Sequence, residues 1–179
     1  MIRRPPRSTL DRSSAASDVY KRQINIEPPE SLKTRILKDG TTSGPLWGGN
    51  MSLLINRLGT SDALNTNGVI LFLEDIDEYF YSFERMLVQM RTAGMFDQIN
   101  GLIIGELKNI KDQEVKFGKD TEQIILDICG DLDIPIVSNY PCGHGKYQAT
   151  FPISINTEIN TSNKDTIVTI TDSAVNTKV

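Results

Sequence analysis

The sequence predicts an α/β fold closed by an antiparallel hairpin, and three observations carry that expectation. Three short apolar runs, Val69–Leu73, Gly101–Gly105 and Ile134–Val137, are unbroken by polar residues, as strands buried on both faces are. Segments with helical spacing separate them, so strand, helix, strand, helix, strand follow in the rhythm of crossover connections. Two later runs, Ile153–Ile159 and Thr166–Ile170, instead alternate apolar and polar across Thr161-Ser162-Asn163, which marks a hairpin.

In chain order, residues 1–23 come first. They carry Arg3, Arg4, Arg7, Arg12, Lys21 and Arg22 against Asp11 and Asp18, a net +4 that leaves −8 for the remainder. This basic head has no apolar h-region and so does not read as a secretory signal. It resembles translated adapter or vector sequence and is expected to be non-native or disordered, with the native chain continuing upstream of Ile24. Residues 24–49 read as a linker and approach to the domain. Pro28-Pro29 and the stretch from Gly40 to Asn50 frame a short helical run at Ser31–Lys38, followed by a tight glycine loop at Gly44–Asn50. The domain proper is expected over 50–171, with a frayed tail at 172–179.

Asn50 is placed to N-cap a helix at Met51–Leu58 that Gly59 ends. The strand at Val69–Leu73 stops at Glu74, Asp75, Asp77 and Glu78. A long helix follows, burying Phe83, Met86, Leu87, Met90 and Ala93 and closing at Gly94. Asp120 is positioned to cap the helix that bears Ile124, Ile125 and Ile128.

Composition sets limits on function. The chain has 179 residues, 39% hydrophobic and 23% charged, which suits one globular domain. Its acidic body argues against nucleic acid as a partner, because phosphate recognition needs clustered Lys and Arg. No apolar run reaches the roughly 18–20 residues of a membrane helix, so no membrane partner is expected. Cys129 and Cys142 are too few for a disulfide scaffold and fit a reducing compartment.

Two residues stand out for chemistry. His144 is the single histidine and lies between Gly143 and Gly145, where the backbone can bring an imidazole to a cleft without obstruction. Glu74 directly follows five apolar residues, so its carboxylate sits at a strand mouth and needs a donor. An imidazole Nδ1–H would serve, and the pair would orient a general base. Spacing alone leaves other readings open. His144 also fits a surface turn, and Glu74 fits an acidic face shared with Asp75, Asp77 and Glu78. A metal site built from Glu74, Asp75, Asp77, Asp97 and His144 matches no standard ligand spacing. A Cys142–His144 dyad would place both partners two residues apart, where dyad geometry is seldom reached.

Blocks in order carry a further signal. Gly44-Pro-Leu-Trp-Gly-Gly-Asn50-Met-Ser-Leu-Leu54 is followed by Leu58-Gly-Thr60, then Ile70-Leu-Phe-Leu-Glu74-Asp75. Glu84-Arg-Met-Leu87 and Arg91-Thr-Ala-Gly94-Met-Phe-Asp97 come next. Gly101-Leu-Ile-Ile-Gly105, Ile134-Pro-Ile-Val137, Pro141-Cys-Gly-His144-Gly145 and Phe151-Pro-Ile153 complete the series. Over about residues 31–160 this resembles the C-terminal domain of the LD-carboxypeptidase family of serine peptidases, which includes the microcin C self-immunity peptidases. The resemblance implies an active site between that domain and an N-terminal α/β domain, with a Ser-Glu-His triad and no cofactor or metal. At matching positions the Glu is Glu74 and the His is His144, while the serine would lie in the N-terminal domain absent from this sequence. Trp47, Gly48, Gly49 and Asn50 are the candidate substrate-binding stretch. Trp47 stands where many members carry a smaller aliphatic residue, and it either lines the cleft or packs. The implied activity is hydrolysis of an L,D-amide in a peptidoglycan-derived tetrapeptide, in the cytoplasm, by a homodimeric full-length enzyme. Cleavage of an aminoacyl-nucleotide antibiotic, or a non-catalytic interaction or dimerisation role, are the alternatives.

Overall fold

A computed structural model describes residues 24–161 and 166–172. Residues 1–23, 162–165 and 173–179, which include the basic head, the turn expected at Ser162-Asn163 and most of the expected tail, lie outside the described residues. The elements are β1 (Ile24–Ile26), β2 (Arg35–Lys38), β3 (Thr41–Asn50), α1 (Met51–Asn56), β4 (Ile70–Glu74), α2 (Phe80–Thr92), β5 (Gly101–Glu106), α3 (Thr121–Cys129), β6 (Ile136–Gly143), β7 (Asn156–Asn160) and β8 (Ile167–Ile170). The α/β expectation and the closing antiparallel hairpin, β7 against β8, both hold.

The eight strands form one sheet in the order β1-β8-β7-β3-β4-β5-β6-β2. Strands β3 to β6 run parallel, each joined to the next by a helix. Strand β3 changes partner midway. Its first half, Thr41–Pro45, pairs antiparallel with β7, and its second half, Leu46–Asn50, pairs parallel with β4.

Alternation along the strands divides two cores. Leu71, Leu73, Leu102, Ile104 and Ile136 face the helices and pack with Met51, Phe83, Leu87, Met90, Ile124 and Ile125. Leu46, Ile70, Ile103 and Val137 face the other way, onto Tyr140, Cys142, Ile159 and Val168. The Tyr140 hydroxyl donates to the Ile26 carbonyl. That bond joins β6 to β1, which five strands separate in the sheet order, so the sheet curls until its antiparallel end covers this second face.

Three elements differ from expectation. Ser31–Lys38 is no helix: Arg35–Lys38 is the edge strand β2, antiparallel to β6. Its adjacent Ile36 and Leu37 pack into opposite cores, an arrangement that a strand provides and a helix does not. Gly44–Asn50 is no loop but part of β3, Gly44 and Pro45 ending its antiparallel half and Leu46–Asn50 forming its parallel half. Gly44 and Gly48 are there for close approach of backbones: a Cβ on Gly48 would lie 1.8 Å from the Phe72 carbonyl oxygen, and one on Gly44 would lie 2.5 Å from that of Gly68. The approach region 24–49 therefore supplies β1, β2 and nearly all of β3. The third apolar strand starts at Ile136 and continues to Gly143, so the segment before His144 is paired backbone rather than loop.

The other three expected helices form, with two corrections: α1 ends at Asn56 rather than Leu58, and Ala93, the C-cap of α2, is exposed rather than on its buried face. Asn50 accepts from the Leu53 amide and caps α1. Asp120 accepts from the Gln123 amide and caps α3. Gly94 adopts φ 78° one residue beyond the C-cap of α2.

Candidate active site

All four parallel strands end on one edge of the sheet, at Asn50, Glu74, Glu106 and Gly143. Asn50 pairs in register with Glu74, and Glu106 with Gly143. The carboxyl edge of a parallel sheet is where side chains following the strands converge on a ligand.

On this edge Glu74 and His144 meet. The imidazole Nδ1 lies 2.7 Å from Glu74 Oε2, a length typical of a strong carboxylate hydrogen bond. Glu74 is 7% exposed, whereas the His144 side chain is 49% exposed. The buried carboxylate is thus fixed, and with Nδ1 engaged, Nε2 is left as the ring nitrogen available to a further partner.

The flanking glycines are needed sterically. Gly143 has φ 106°, and a Cβ there would lie 2.9 Å from both Cβ and Oε2 of Glu74. Gly145 rests on the Glu106 carboxylate, with its own Cβ position 1.7 Å from Glu106 Oε1. That oxygen is buried and has no hydrogen-bond partner. The His144 turn therefore lies between two strand-end carboxylates, one bonded to the imidazole and one beneath the chain.

The sequence pattern places Asp75 on an acidic face with Asp77 and Glu78, and the structure corrects this. It is 3% exposed, and its carboxylate accepts from the Ser52 amide (3.1 Å), the Ser52 hydroxyl (2.9 Å), the Asn50 side-chain amide (3.3 Å) and its own neighbour, the Ile76 amide (2.8 Å). Asp75 thus ties the end of β4 to the first turn of α1. No local signal separates it from Asp77, which is exposed and lies 3.5 Å from Lys111 Nζ. The only hint is its place immediately after a strand-end residue.

The remaining candidates fall into place as follows. Trp47 is half-buried and packs against the helix-side core, in register with Leu71. Gly48 presses on the backbone of β4, while the Cβ position of Gly49 points into open space beside Asn50. The residues of the metal reading are dispersed: Asp97 sits beside Gly94 beyond α2, and Asp77 faces Lys111 and Asn109. Among the described residues no group of three or more His, Cys, Asp or Glu side chains is placed to hold a metal ion. Cys142 is not directed at His144; it is 4% exposed and belongs to the second core. Burial, then the charges of Glu74 and Glu106, push its thiol up to about 12, so it carries no thiolate near neutral pH. Among the described residues, no helix is long and apolar enough to cross a membrane.

Known proteins resemble this chain in sequence and fold. A family model described as the LD-carboxypeptidase C-terminal domain matches residues 43–159. A probable murein peptide carboxypeptidase of Bacillus subtilis is 31% identical over 132 residues, covering 74% of this chain and 41% of the relative. A solved muramoyltetrapeptide carboxypeptidase from Oxalobacter formigenes superposes with a TM-score of 0.71 at 28% identity, over 84% of this chain and 50% of that one. The microcin C7 self-immunity protein, solved with aspartyl sulfamoyl adenosine, reaches a TM-score of 0.76 over 86% of this chain and 51% of its own; at 18% identity this is a likeness of fold. The chain spans about two fifths of the length of the curated relatives it matches.

Proposed function

This chain belongs to the LD-carboxypeptidase family, and from that membership we propose that it supplies the base and the orienting acid of a serine carboxypeptidase. The observation that carries the reading is the 2.7 Å contact between His144 Nδ1 and a buried Glu74 carboxylate. In the proposed reaction a serine outside this sequence attacks the carbonyl of an L,D-amide, and His144 Nε2 takes its proton. Glu74 holds the Nδ1–H tautomer and stabilises the imidazolium. The proton then passes to the leaving amine, and water, activated by the same imidazole, releases the acyl group from the serine. No step calls for a metal or an organic cofactor. The proposed substrate is a peptidoglycan-derived tetrapeptide losing its terminal D-residue, and the proposed setting is the cytoplasm, with a homodimeric full-length enzyme.

The test joins residues 24–179 to a relative's N-terminal domain and measures D-alanine release from an L,D-tetrapeptide, with an aminoacyl sulfamoyl nucleoside assayed in parallel. Release of D-alanine that His144→Ala abolishes supports the reading. Cleavage of the nucleoside alone moves the assignment to an immunity-type peptidase, and turnover that survives His144→Ala refutes the role given to the pair.

A further inference from the structure

We propose that a bulge in β6 centred on Asn139 is what delivers His144 to Glu74, which makes Asn139 a positioning residue for the pair. The inference deepens the reading above and depends on it only for the consequence to turnover.

The geometry requires such a device. Glu74 ends β4, His144 follows β6, and β5 lies between them. Neighbouring strands are about 4.8 Å apart, so two strand spacings would separate the pair in a regular sheet. Strand β6 does not keep regular step with β5. Ile103 pairs with Val137 and Glu106 with Gly143, so β6 advances six residues while β5 advances three. One extra residue falls between Val137 and Tyr140, where Asn139 has φ 53°, and two more fall between Tyr140 and Gly143; the first sets the face on which the rest of β6 continues.

Core membership shows the same shift independently. In an unbroken strand Val137 would share its face with residues 139 and 141. Instead Val137, Tyr140 and Cys142 all lie in the second core, while Ile136 lies in the helix-side core. One inserted residue inverts the alternation, as a slip of one position must. With Tyr140 and Cys142 turned into the second core, Gly143 lands against Glu74 and the imidazole crosses over the end of β5. The left-handed backbone at the bulge suits Asn, Asp or Gly and opposes β-branched residues. Asn139 is also fixed from outside the strand, because its side-chain amide donates to the Lys33 carbonyl at 2.9 Å.

The single histidine makes the test direct. Ring nitrogen correlation spectra of the 179-residue chain at alkaline pH report the His144 tautomer without assignment by mutation. The wild-type chain should show an Nδ1-protonated ring with a protected N–H resonance, and Glu74→Gln provides the spectrum of a ring released from the carboxylate. Asn139→Val should give the released spectrum, and Asn139→Gly, which accepts the same φ, should keep the wild-type one. A folded Asn139→Val chain with the wild-type spectrum would overturn the proposal, as would loss of the signature in Asn139→Gly. If Asn139→Val fails to fold, Asn139→Ala decides: a released spectrum supports the proposal, and a retained one overturns it. In a full-length enzyme Asn139→Val should lower kcat far more than it changes KM. A wild-type enzyme without peptidase activity would refute the function proposed above and leave the spectral result standing.

Discussion

The contact between Gly143 and Glu74 shows how narrowly the site is built at single residues. Gly143 combines φ 106° with a Cβ position 2.9 Å from the Glu74 carboxylate, so alanine there meets both backbone strain and a buried charge. Gly143→Ala should destabilise the fold by about 1–3 kcal/mol, and in a full-length enzyme it should lower kcat by displacing Glu74. Denaturant unfolding checks the first part and steady-state kinetics the second; a fully active variant would mean that the carboxylate is not held where it must be. The two thiols offer a separate check on burial. Both Cys129 and Cys142 are pushed up to about 12 from a usual 9.0, chiefly by burial. Above pH 9 the unfolded chain loses thiol protons that the folded chain keeps, so unfolding stability falls as pH rises from about 9 towards 12. The ceiling is about 1.4 kcal/mol per pH unit for each thiol. Urea titrations at pH 8 and pH 10.5 should show that fall, and Cys142→Ala should reduce its slope. Of these residues, Glu74 and His144 are legible in the sequence, one as the polar stop to an apolar run and the other as the single histidine between glycines. Their meeting is expected from the resemblance rather than from local spacing, because 70 residues and an intervening strand separate them.

Among the elements, α1 is short and depends on its neighbours. Its first turn is held by Asn50, which accepts from the Leu53 amide, and by Asp75, which accepts from the amide and hydroxyl of Ser52. Truncating the cap, Asn50→Ala, should cost about 1 kcal/mol. Asp75→Ala should cost more, about 3 kcal/mol, since it removes a buried carboxylate that accepts from four donors at once. Both changes loosen the junction of β3 and β4 on which Glu74 stands. A double variant whose effect falls short of the sum of the two singles would confirm that they act as one brace; full additivity would show two unrelated contacts. Elements with regular periodicity are readable without coordinates: the caps of α1 and α3, the strands β4 and β5, and the buried face of α2 through Phe83, Met86, Leu87 and Met90 lie where their patterns put them, while Ala93 at the helix end is exposed. Strand β3 is not readable in the same way. Glycine signals a turn by its freedom, yet at Gly44 and Gly48 it is needed for its lack of a side chain against the backbone of a neighbouring strand.

At the scale of the whole molecule, the sheet carries its helices on one face and curls its antiparallel end over the other, which leaves the carboxyl edge of β3 to β6 to present Glu74 and His144. This layout follows from the alternation of helices and strands, but the curl depends on pairings between distant segments, β1 with β8 and β3 with β7, that no local pattern encodes. The arrangement has a consequence for activity. A base and its orienting acid accelerate acyl transfer only against a positioned nucleophile and the donors that receive the developing oxyanion. The proposed serine lies outside this sequence, and Ser43 and Ser52 do not replace it: Ser43 is an exposed residue of β3 paired with Glu158 in β7, and the Ser52 hydroxyl is bound to Asp75. The 179-residue chain alone is therefore expected to release no D-alanine from an L,D-tetrapeptide above background, even though its Glu74–His144 pair is assembled. Joined to a nucleophile domain it should hydrolyse the same peptide, with Glu74→Gln lowering kcat by roughly 10⁴-fold through loss of the correct imidazole tautomer. Turnover by the isolated chain that persisted in His144→Ala would place the chemistry elsewhere on the molecule. Turnover that vanished in His144→Ala would require a nucleophile within this chain, contrary to the assignment of the serine to a separate domain.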